Sequence, residues 1–407
     1  MWLGDKMKKV LFIVRDMRFG GVQKSLLSFL QCLTASEYKN MYEIHLLVLD
    51  PTGKMLDQIP PQIRVIKPSG PTRWMASRMN KELLTKYCSV LGIIGEIRWL
   101  LKKKLRLFPK QFNTEQKVWF NWRNLIPEHN ETYDIVVSYQ DGESNYYAID
   151  KVKAKEKILW LHIDYQKPGY DPAFDLRYYE ACDAVITVSD NCRKCFLDVF
   201  PQFEGKTHVL ENITSSDYVL VQGNNGRALE YEQSKGTKIL SVGRLNVQKG
   251  FDIAIEAAKK LRNAGREFLW LIVGEGPERE RLQQQIDTNN LSACFKMIGV
   301  RENPYAYMNA CDLVVMSSRY EGKPIVLDEV KIFCKPIVST CYPTVNASLE
   351  HGKNGWIVDI TPEALCEGIM HMIDDKNLRG DIVAYLETQP KGNIQELQHY
   401  VQVMLER

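Results

Sequence analysis

Residues 313–329 read LVVMSSRYEGKPIVLDE, and this stretch is the clearest indication of the fold. Four consecutive apolar residues predict a strand that is buried on both faces and ends at Ser317. Pro324 favours the first position of a helix, where its missing N–H group costs no hydrogen bond. A buried strand followed by a polar turn and a helix is the repeating unit of a parallel sheet with crossover helices.

The same alternation recurs along the chain of 407 residues, in which short Val/Ile/Leu-rich runs are separated by helical stretches. We predict a first set of strands at residues 8–15, 43–50, 63–67, 134–139, 157–162, 184–189 and 207–211. We predict a second set at residues 238–243, 268–273, 295–299, 313–317, 336–340 and 355–359. The pattern therefore predicts an α/β protein with two doubly wound domains facing one cleft, and ligands at the carboxyl ends of the strands.

The predicted domains are residues 1–214 and 238–385. The polar stretch 215–237 contains Gly and Asn residues and is interpreted as a linker. Residues 386–407 are expected to form a helix that packs back on the N-terminal domain. Residues 1–6 precede a natural start at Met7, and whether they belong to the natural chain stays open.

Composition narrows the class of protein. A formal charge of +3 cannot attract a polyanion along the whole surface, so any basic patch must be local. The first apolar run is too short for an export signal, and no stretch of about 18 uncharged apolar residues predicts a spanning helix. Ten cysteines without an export signal indicate free thiols in the cytoplasm.

Neither an Asp-x-Asp pair nor a metal-type histidine spacing occurs in the sequence, so we predict no metal.

One segment, residues 72–123, concentrates charge and tryptophan. It holds twelve basic residues, three acidic residues and four of the eight tryptophans. A basic helix with an apolar stripe can lie flat on anionic lipid, and the alternative is a solvated helix that covers the first domain. Nucleic acid is not predicted, because no recognised binding module accompanies the charge. The residues expected to face the membrane are Arg98, Trp99, Lys102, Lys103, Lys104 and Arg106.

The helix predicted after Pro324 offers an anion site. The amides of Ile325, Val326 and Leu327 are expected to be unpaired, and with the helix dipole they suit a diphosphate. Glu321 lies just before this site and Glu329 lies about a turn and a half inside the helix. Carboxylates accept hydrogen bonds from vicinal hydroxyls of a ribose or a hexose.

A second group of residues follows the first strand of the C-terminal domain. In the loop that begins at Gly243, Arg244 provides a planar fork for phosphate oxygens and Lys249 provides a mobile point charge. These two cations could neutralise a leaving diphosphate without a metal.

Weaker signals lie in other loops. Gly274 belongs to a tight strand-to-helix turn, which is common in all folds. Gly20 and Gly21 follow the first predicted strand and would let the backbone approach a ligand, although a plain turn is equally consistent with them. His162 ends a predicted strand and could bind a sugar or a phosphate, or serve a structural role.

Taken together, these residues resemble the retaining family 4 glycosyltransferases, or glycosyl transferases group 1, which have the GT-B fold of two Rossmann-like domains. Glu321 and Glu329 match the family's two glutamates separated by seven residues. The resemblance implies that Glu321 contacts the donor sugar, that Glu329 contacts the nucleotide ribose, and that the turn at Val300 reads the base. Lys323 stands where an aromatic residue is commoner.

The resemblance also implies roles for the other residues named above. It implies catalytic roles for Glu321, His162, Arg244 and Lys249. It implies donor binding by Gly20, Gly21, Gly243, Gly274, Val300, Gly322, Lys323, Pro324, Ile325, Val326 and Glu329.

The function expected from the sequence is metal-independent, retaining transfer of a hexose-type sugar, with no cofactor other than the nucleotide-sugar substrate. A UDP-sugar is the favoured donor and a GDP-sugar is the alternative. The acceptor is expected to be a saccharide or a lipid-linked oligosaccharide of bacterial cell-surface polysaccharide biosynthesis. The enzyme is expected in the cytoplasm, peripheral on the inner face of the membrane. The alternatives are a catalytically silent sugar-nucleotide-binding subunit and a GT-B epimerase or phosphorylase.

Overall fold

The chain is described by a computed structural model that covers residues 7–18, 20–77, 90–321 and 323–406. Two compact units divide the chain. The first extends to Ile213 and also includes the segment from Gln395, and the second is Thr214–Ile394. Gly322, expected to bind the donor, lies outside the described residues, as do residues 1–6.

The first unit is built on a parallel sheet of seven strands in the order β3-β2-β1-β4-β5-β6-β7. The strands are β1 (Lys8–Val14), β2 (Tyr42–Val48), β3 (Arg64–Ile66), β4 (Thr132–Ser138), β5 (Lys153–Leu161), β6 (Ala184–Thr187) and β7 (Thr207–Val209). Alternate residues of β1 pack into two different cores. Val10, Phe12 and Val14 join one hydrophobic cluster, and Leu11 and Ile13 join the other. Burial on both faces explains the uninterrupted apolar run.

Helices cover this sheet. They are Gly21–Ala35, Gly70–Ser77, Val90–Lys104, Thr114–Trp122, Glu143–Lys151, Pro172–Glu180 and Asp190–Leu197, with short 3-10 turns at Glu37–Asn40, Lys54–Gln58 and Pro201–Lys206. The C-terminal helix Glu396–Tyr400 and the following turn Val401–Leu405 also belong to this unit. Tyr400 is fully buried in its core, and its hydroxyl donates a hydrogen bond to the Glu211 carbonyl at 2.8 Å.

The second unit has a parallel sheet of six strands in the order β10-β9-β8-β11-β12-β13. Its strands are β8 (Thr237–Val242), β9 (Phe268–Val273), β10 (Phe295–Gly299), β11 (Leu313–Met316), β12 (Ile337–Thr340) and β13 (Trp356–Val358). Its helices are Ser216–Asn225, Leu229–Glu232, Phe251–Asn263, Arg279–Thr288, Tyr305–Ala310, Ile325–Ile332, Pro362–Asp374 and Lys376–Thr388, with 3-10 turns at Val247–Lys249 and Val345–Ala347.

Two boundaries differ in detail from the sequence-based interpretation. Residues 215–237, interpreted as a linker, contain two helices and group with the second unit. Of residues 386–407, only those from Gln395 onward group with the first unit. Short polar helices such as Ser216–Asn225 have a weak apolar pattern, which is why composition alone suggested a linker.

The prediction of two doubly wound parallel sheets is confirmed. In each sheet the strand order reverses beside the first strand of the unit, between β1 and β4 and between β8 and β11. Such switch points are where open α/β sheets bind ligands. None of the helices in the described part of the chain has both the length and the hydropathy of a membrane span.

Candidate functional site

The loops that follow β8 and β11 lie side by side at the switch point of the second sheet. The Arg319 amide donates a hydrogen bond to the Gln248 carbonyl at 2.8 Å, and the Ser317 hydroxyl donates to the Lys249 carbonyl at 2.8 Å. The structure therefore joins the two groups of residues that the sequence analysis had identified separately.

Local chemistry explains why these loops fold together. Gly250 has a φ of 61°, and a Cβ atom there would overlap the Ser317 carbonyl, so this position requires glycine. Arg319 forms two hydrogen bonds with the Asp252 carboxylate, at 2.8 and 2.7 Å. A bidentate pair of this kind holds its partners in one geometry and fixes the turn after β11 against the helix Phe251–Asn263.

Lys249 and Glu321 form the centre of the site. The Lys249 ammonium lies 2.7 Å from Glu321 Oε1, and the two side chains are 17% and 8% exposed. The Ser318 hydroxyl donates to the same oxygen at 2.6 Å, and Gln248 Nε2 donates to Oε2 at 3.3 Å. An ammonium group has three donors, so Lys249 can bind this carboxylate and a further anion together.

Ser318 and Gln248 stand within the two sequence motifs, but no role for either was predicted. Lys249 was assigned to the diphosphate and Glu321 to the sugar, and their ion pair was not predicted. The two residues are 72 positions apart, and their contact depends on the pairing of β8 with β11.

The helix Ile325–Ile332 begins directly beside this pair. Pro324 is the residue before the first helical position and has an extended backbone, which corrects the expected placement of Pro324 by one residue. The Leu327 amide donates to the Pro324 carbonyl at 3.0 Å, so the expectation that it is unpaired is wrong. Ile325 and Val326 form the first turn of the helix, as predicted, and Lys323 is half-buried just before it.

Glu329 is almost completely buried in the same helix, with 2% of its surface exposed. The Tyr305 hydroxyl donates a hydrogen bond to Glu329 Oε1 at 2.8 Å. Burial, followed by the nearby Glu329 charge, raises the pKa of Tyr305 well above its ordinary value, so this hydroxyl stays a donor. Tyr305 thus contacts the candidate ribose-binding residue, a role that the sequence had not assigned to it.

Other predicted donor residues surround these loops. Arg244 is exposed on the loop after β8, and Val300 is exposed after β10. Gly243 lies against Lys249, because a Cβ atom there would come 3.0 Å from Lys249 Cε. Gly274 is needed for a close approach, since a Cβ atom there would overlap the Gly243 carbonyl.

Three predicted residues belong to the first unit. Gly20 precedes the helix that begins at Gly21. His162 follows β5, where its Nε2 contacts the Tyr139 carbonyl at 3.1 Å and its amide donates to Asp141 Oδ1 at 2.8 Å. Burial lowers the pKa of His162 to about 3. The neutral ring therefore carries its proton on Nε2, which leaves Nδ1 as a hydrogen-bond acceptor.

Acidic residues missed by the sequence analysis lie around the switch point of the first sheet. Burial raises the pKa of Asp141 to about 7 and also raises the pKa of Glu115. The Tyr170 hydroxyl donates to Glu115 at 2.8 Å, and Arg15 lies 3.9 Å from Glu143. No spacing rule could have found this group, because its members come from four separate segments.

The residues predicted to face a membrane divide into two sets. Trp99 packs against Phe108, with ring centres 4.6 Å apart, and the Lys102 ammonium lies 4.6 Å from the centre of the Phe120 ring. Both side chains thus contact the protein, contrary to the expectation for an outward face. Lys103, Lys104 and Arg106 are exposed and Arg98 is half-buried.

A metal has no obvious position in the described part of the chain. Across those residues, no group of three or more His, Cys, Asp or Glu side chains could hold an ion. Independence of metal stays a prediction.

Comparison with known proteins finds a family model that matches most of the second unit. Residues 227–389 match the family model described as glycosyl transferases group 1. The chain is 32% identical over 145 residues to the alpha-D-kanosaminyltransferase of Streptomyces kanamyceticus, a match that covers 35% of this chain and 37% of that protein. It is 31% identical over 128 residues to the amylovoran biosynthesis glycosyltransferase AmsK of Erwinia amylovora, covering 30% of this chain and 31% of the relative.

Solved structures extend the likeness to nearly the whole chain. The Anabaena protein Alr3699/HepE, crystallised with UDP and glucose, superposes with a TM-score of 0.69 at 17% identity and covers 97% of this chain and 98% of that one. Sucrose-phosphate synthase of Thermosynechococcus elongatus superposes with a TM-score of 0.65 at 14% identity, with coverage of 97% and 98%. These likenesses confirm the GT-B fold that the sequence predicted.

Proposed function

We propose that this chain, whose residues 227–389 belong to the glycosyl transferases group 1 family, transfers a hexose-type sugar from a nucleoside diphosphate to a saccharide acceptor. Transfer proceeds with retention of configuration at the sugar and without a metal. The observation that carries the proposal is the meeting of Lys249, Glu321 and the start of the helix Ile325–Ile332 at one switch point.

The chemistry of the proposed site follows from charge. Departure of the diphosphate builds negative charge on its oxygens and positive charge on the sugar ring. Lys249, Arg244 and the first amides of the helix are preorganised for the developing negative charge, and such electrostatic preorganisation is commonly the largest catalytic effect. Ser318 and Lys249 hold Glu321 in place by hydrogen bonds, so its carboxylate can accept hydrogen bonds from the hydroxyl groups of the sugar in a defined orientation.

The nucleotide is assigned to the part of the site that includes Glu329 and Val300. Glu329 would accept hydrogen bonds from the hydroxyl groups of the ribose, while the Tyr305 hydroxyl donates to Oε1 of the same carboxylate. A UDP-sugar is the favoured donor, since the Anabaena HepE structure contains UDP and glucose. A GDP-sugar remains the alternative.

The first unit is assigned to the acceptor side, and the roles of Gly20, Gly21 and His162 in donor binding stay predictions. Relatives named for amylovoran, colanic acid and lipopolysaccharide core biosynthesis support a saccharide acceptor of the bacterial cell surface. A lipid-linked oligosaccharide and a location on the inner face of the membrane are part of this proposal.

The test is a screen of nucleotide sugars against the purified chain. A true donor should raise the melting temperature, because it binds the folded form alone. The same donor should then release nucleoside diphosphate in the presence of acceptor, and the product should keep the anomeric configuration by NMR. Activity that survives EDTA supports metal independence.

The same assay separates the alternatives. A silent sugar-nucleotide-binding subunit would be stabilised by the donor but would neither hydrolyse nor transfer it. An epimerase would interconvert free or activated sugars, and a phosphorylase would require inorganic phosphate. Absence of both stabilisation and turnover across UDP- and GDP-sugars would overturn the proposal.

A further inference from the structure

An exposed apolar surface on the first unit has no role in the proposed site. In the described part of the chain, nine of the eighteen exposed large hydrophobic residues lie within residues 90–107. They are Val90, Leu91, Ile93, Ile94, Ile97, Leu100, Leu101, Leu105 and Leu107. Scattered exposed apolar residues are ordinary, but a contiguous patch of this kind marks an interaction surface.

The helix Val90–Lys104 is attached through its small residues. Gly92 and Gly95 are its buried residues. A Cβ atom at Gly92 would overlap the indole of Trp74, and one at Gly95 would overlap the indole of Trp122. The Asn121 side chain also donates a hydrogen bond to the Gly95 carbonyl at 3.0 Å. Glycine thus lets the helix backbone lie directly against two tryptophan rings.

The large side chains consequently lie on the opposite side of the helix. At about 100° per residue, Ile93, Ile97 and Leu101 lie far around the helix from Gly92 and Gly95. A helix that covers a soluble core normally buries its aliphatic residues and exposes its polar ones. This helix has the reverse arrangement. We call its outer surface the aliphatic face, comprising Val90, Ile93, Ile94, Ile97, Leu100 and Leu101.

Positive charge borders one end of the aliphatic face. Lys103, Lys104 and Arg106 are exposed at the C-terminal end of the helix. Glu96 is the acidic residue of this helix, and it is half-buried on the side of the glycines. An apolar surface bordered by cations complements the acyl boundary and the headgroups of an anionic membrane.

We propose that the aliphatic face inserts into the interface of an anionic lipid membrane, with Lys103, Lys104 and Arg106 at the level of the headgroups. The sequence had predicted a membrane-facing surface made of cations and Trp99. The structure instead turns Trp99 and Lys102 toward the protein, so apolar insertion supplies the main attraction and the cations add to it. This inference rests on the membrane location in the proposed function, but it is tested without a substrate.

The experiment is flotation of the full chain with vesicles of phosphatidylcholine alone, or mixed with phosphatidylglycerol. The chain should float with the mixed vesicles and keep most of its binding when salt is raised, because apolar insertion is not screened. The double variant Ile93→Asp/Ile97→Asp should bind at least about tenfold more weakly. Both positions are exposed, so circular dichroism should show an unchanged fold.

Matched variants make the result specific. Val221→Asp/Leu229→Asp places two acids at exposed apolar positions of the second unit and should bind vesicles like the wild type. Lys103→Glu/Lys104→Glu should weaken binding to mixed vesicles and lower its salt dependence, while leaving the apolar contribution intact.

Three results would overturn the inference. The first is failure of the wild-type chain to float with mixed vesicles. The second is equal binding by the Ile93→Asp/Ile97→Asp variant. The third is a lipid-free dimer that this variant converts to a monomer in light scattering, which would assign the aliphatic face to a second copy. Turnover with a water-soluble acceptor is measured in parallel, so that loss of lipid binding and loss of activity are distinguished.

Discussion

The switch points of the two sheets have the same topology but opposite chemistry. In the second unit, Lys249 pairs with Glu321 beside the start of a helix, and Arg244 is exposed on the same loop as Lys249. In the first unit, Arg15 lies among the acidic residues Glu143, Glu115, Asp16 and Asp50, and Asp141 lies near Glu115. The sheet order therefore determines where a ligand can bind, while the loop side chains determine what charge it carries.

This contrast agrees with the proposed reaction, in which the second unit binds the donor diphosphate and the first unit binds the saccharide acceptor. A diphosphate needs cations and amides, as at the second switch point. Carboxyl groups with raised pKa values, as at the first, suit the hydroxyl groups of a neutral saccharide. Four predictions test this contrast, beginning with the largest expected effect.

Removal of a cation at the second switch point should have the largest effect. We expect Lys249→Ala to lower kcat/KM by an amount that corresponds to a loss of about 2 to 4 kcal/mol of transition-state stabilisation. The reason is that the variant removes charge stabilisation of the leaving diphosphate. Steady-state kinetics with the identified donor measure this loss. Lys296→Ala, at an exposed position on β10, is the matched control and should be unaffected. Unchanged turnover in Lys249→Ala would remove the electrostatic basis of the comparison.

The two glutamates at the second switch point should differ in their kinetic effects. Glu321→Gln should lower kcat by an amount that corresponds to an increase of about 1.5 to 3 kcal/mol in the activation free energy, since a hydrogen-bonded charge next to the sugar is lost. Glu329→Gln should mainly raise the donor KM, because its carboxylate is assigned to the ribose. Identical changes in kcat and KM for both variants would contradict this division.

At the first switch point, Asp141→Asn should change the dependence of stability on pH. Burial raises the pKa of Asp141 to about 7, so the folded form holds its proton at pH values where the unfolded chain has released it. Stability from this group is therefore lost as the pH rises from about 4 toward 7. The Asn variant avoids the loss and should be about 1 to 3 kcal/mol more stable than the wild type at pH 8.

Urea unfolding from pH 5 to pH 8.5 measures this difference. The gap between Asp141→Asn and the wild type should shrink at the acid end of the range. Asp381→Asn, an exposed carboxyl of the second unit, should give a constant difference. A gap for Asp141→Asn that grows on acidification would show that the carboxyl is charged and stabilising in the fold.

The smallest effect is expected for Gln248→Ala. Its Nε2 donates to Glu321 Oε2 at 3.3 Å and to the Tyr320 carbonyl at 2.9 Å. Loss of these bonds should cost about 0.5 to 1.5 kcal/mol in kcat/KM, the usual value for hydrogen bonds between partly solvated groups. A loss as large as that of Lys249→Ala would mean that Gln248 contacts the substrate itself.

Much of the fold was predictable from the sequence. Buried strands such as β1 and β9 are uninterrupted apolar runs, and runs of that kind are recognisable without an alignment. The loops carrying Lys249 and Glu321 were also predictable, because strand ends followed by glycine, proline and charge are local signals. The acidic group around Asp141 was not, since no local pattern links Glu115 to Glu143.

The orientation of the helix Val90–Lys104 was also not predictable from a local sequence pattern. Its composition indicated an amphipathic element, but the sequence could not tell which face the protein would cover. Gly92 and Gly95 decide this by fitting against Trp74 and Trp122, and such a fit is visible only when the partners are placed.

The amino-acid sequence by itself determined the parallel α/β architecture, the positions of the strands and the loops that hold the charged residues. It did so because burial on both faces of a strand imposes a local apolar pattern. Only the tertiary structure decided that Lys249 pairs with Glu321, that Tyr305 meets Glu329 and that the aliphatic face points outward. Those contacts depend on strand order and on the shapes of distant surfaces, which periodicity along the chain does not encode.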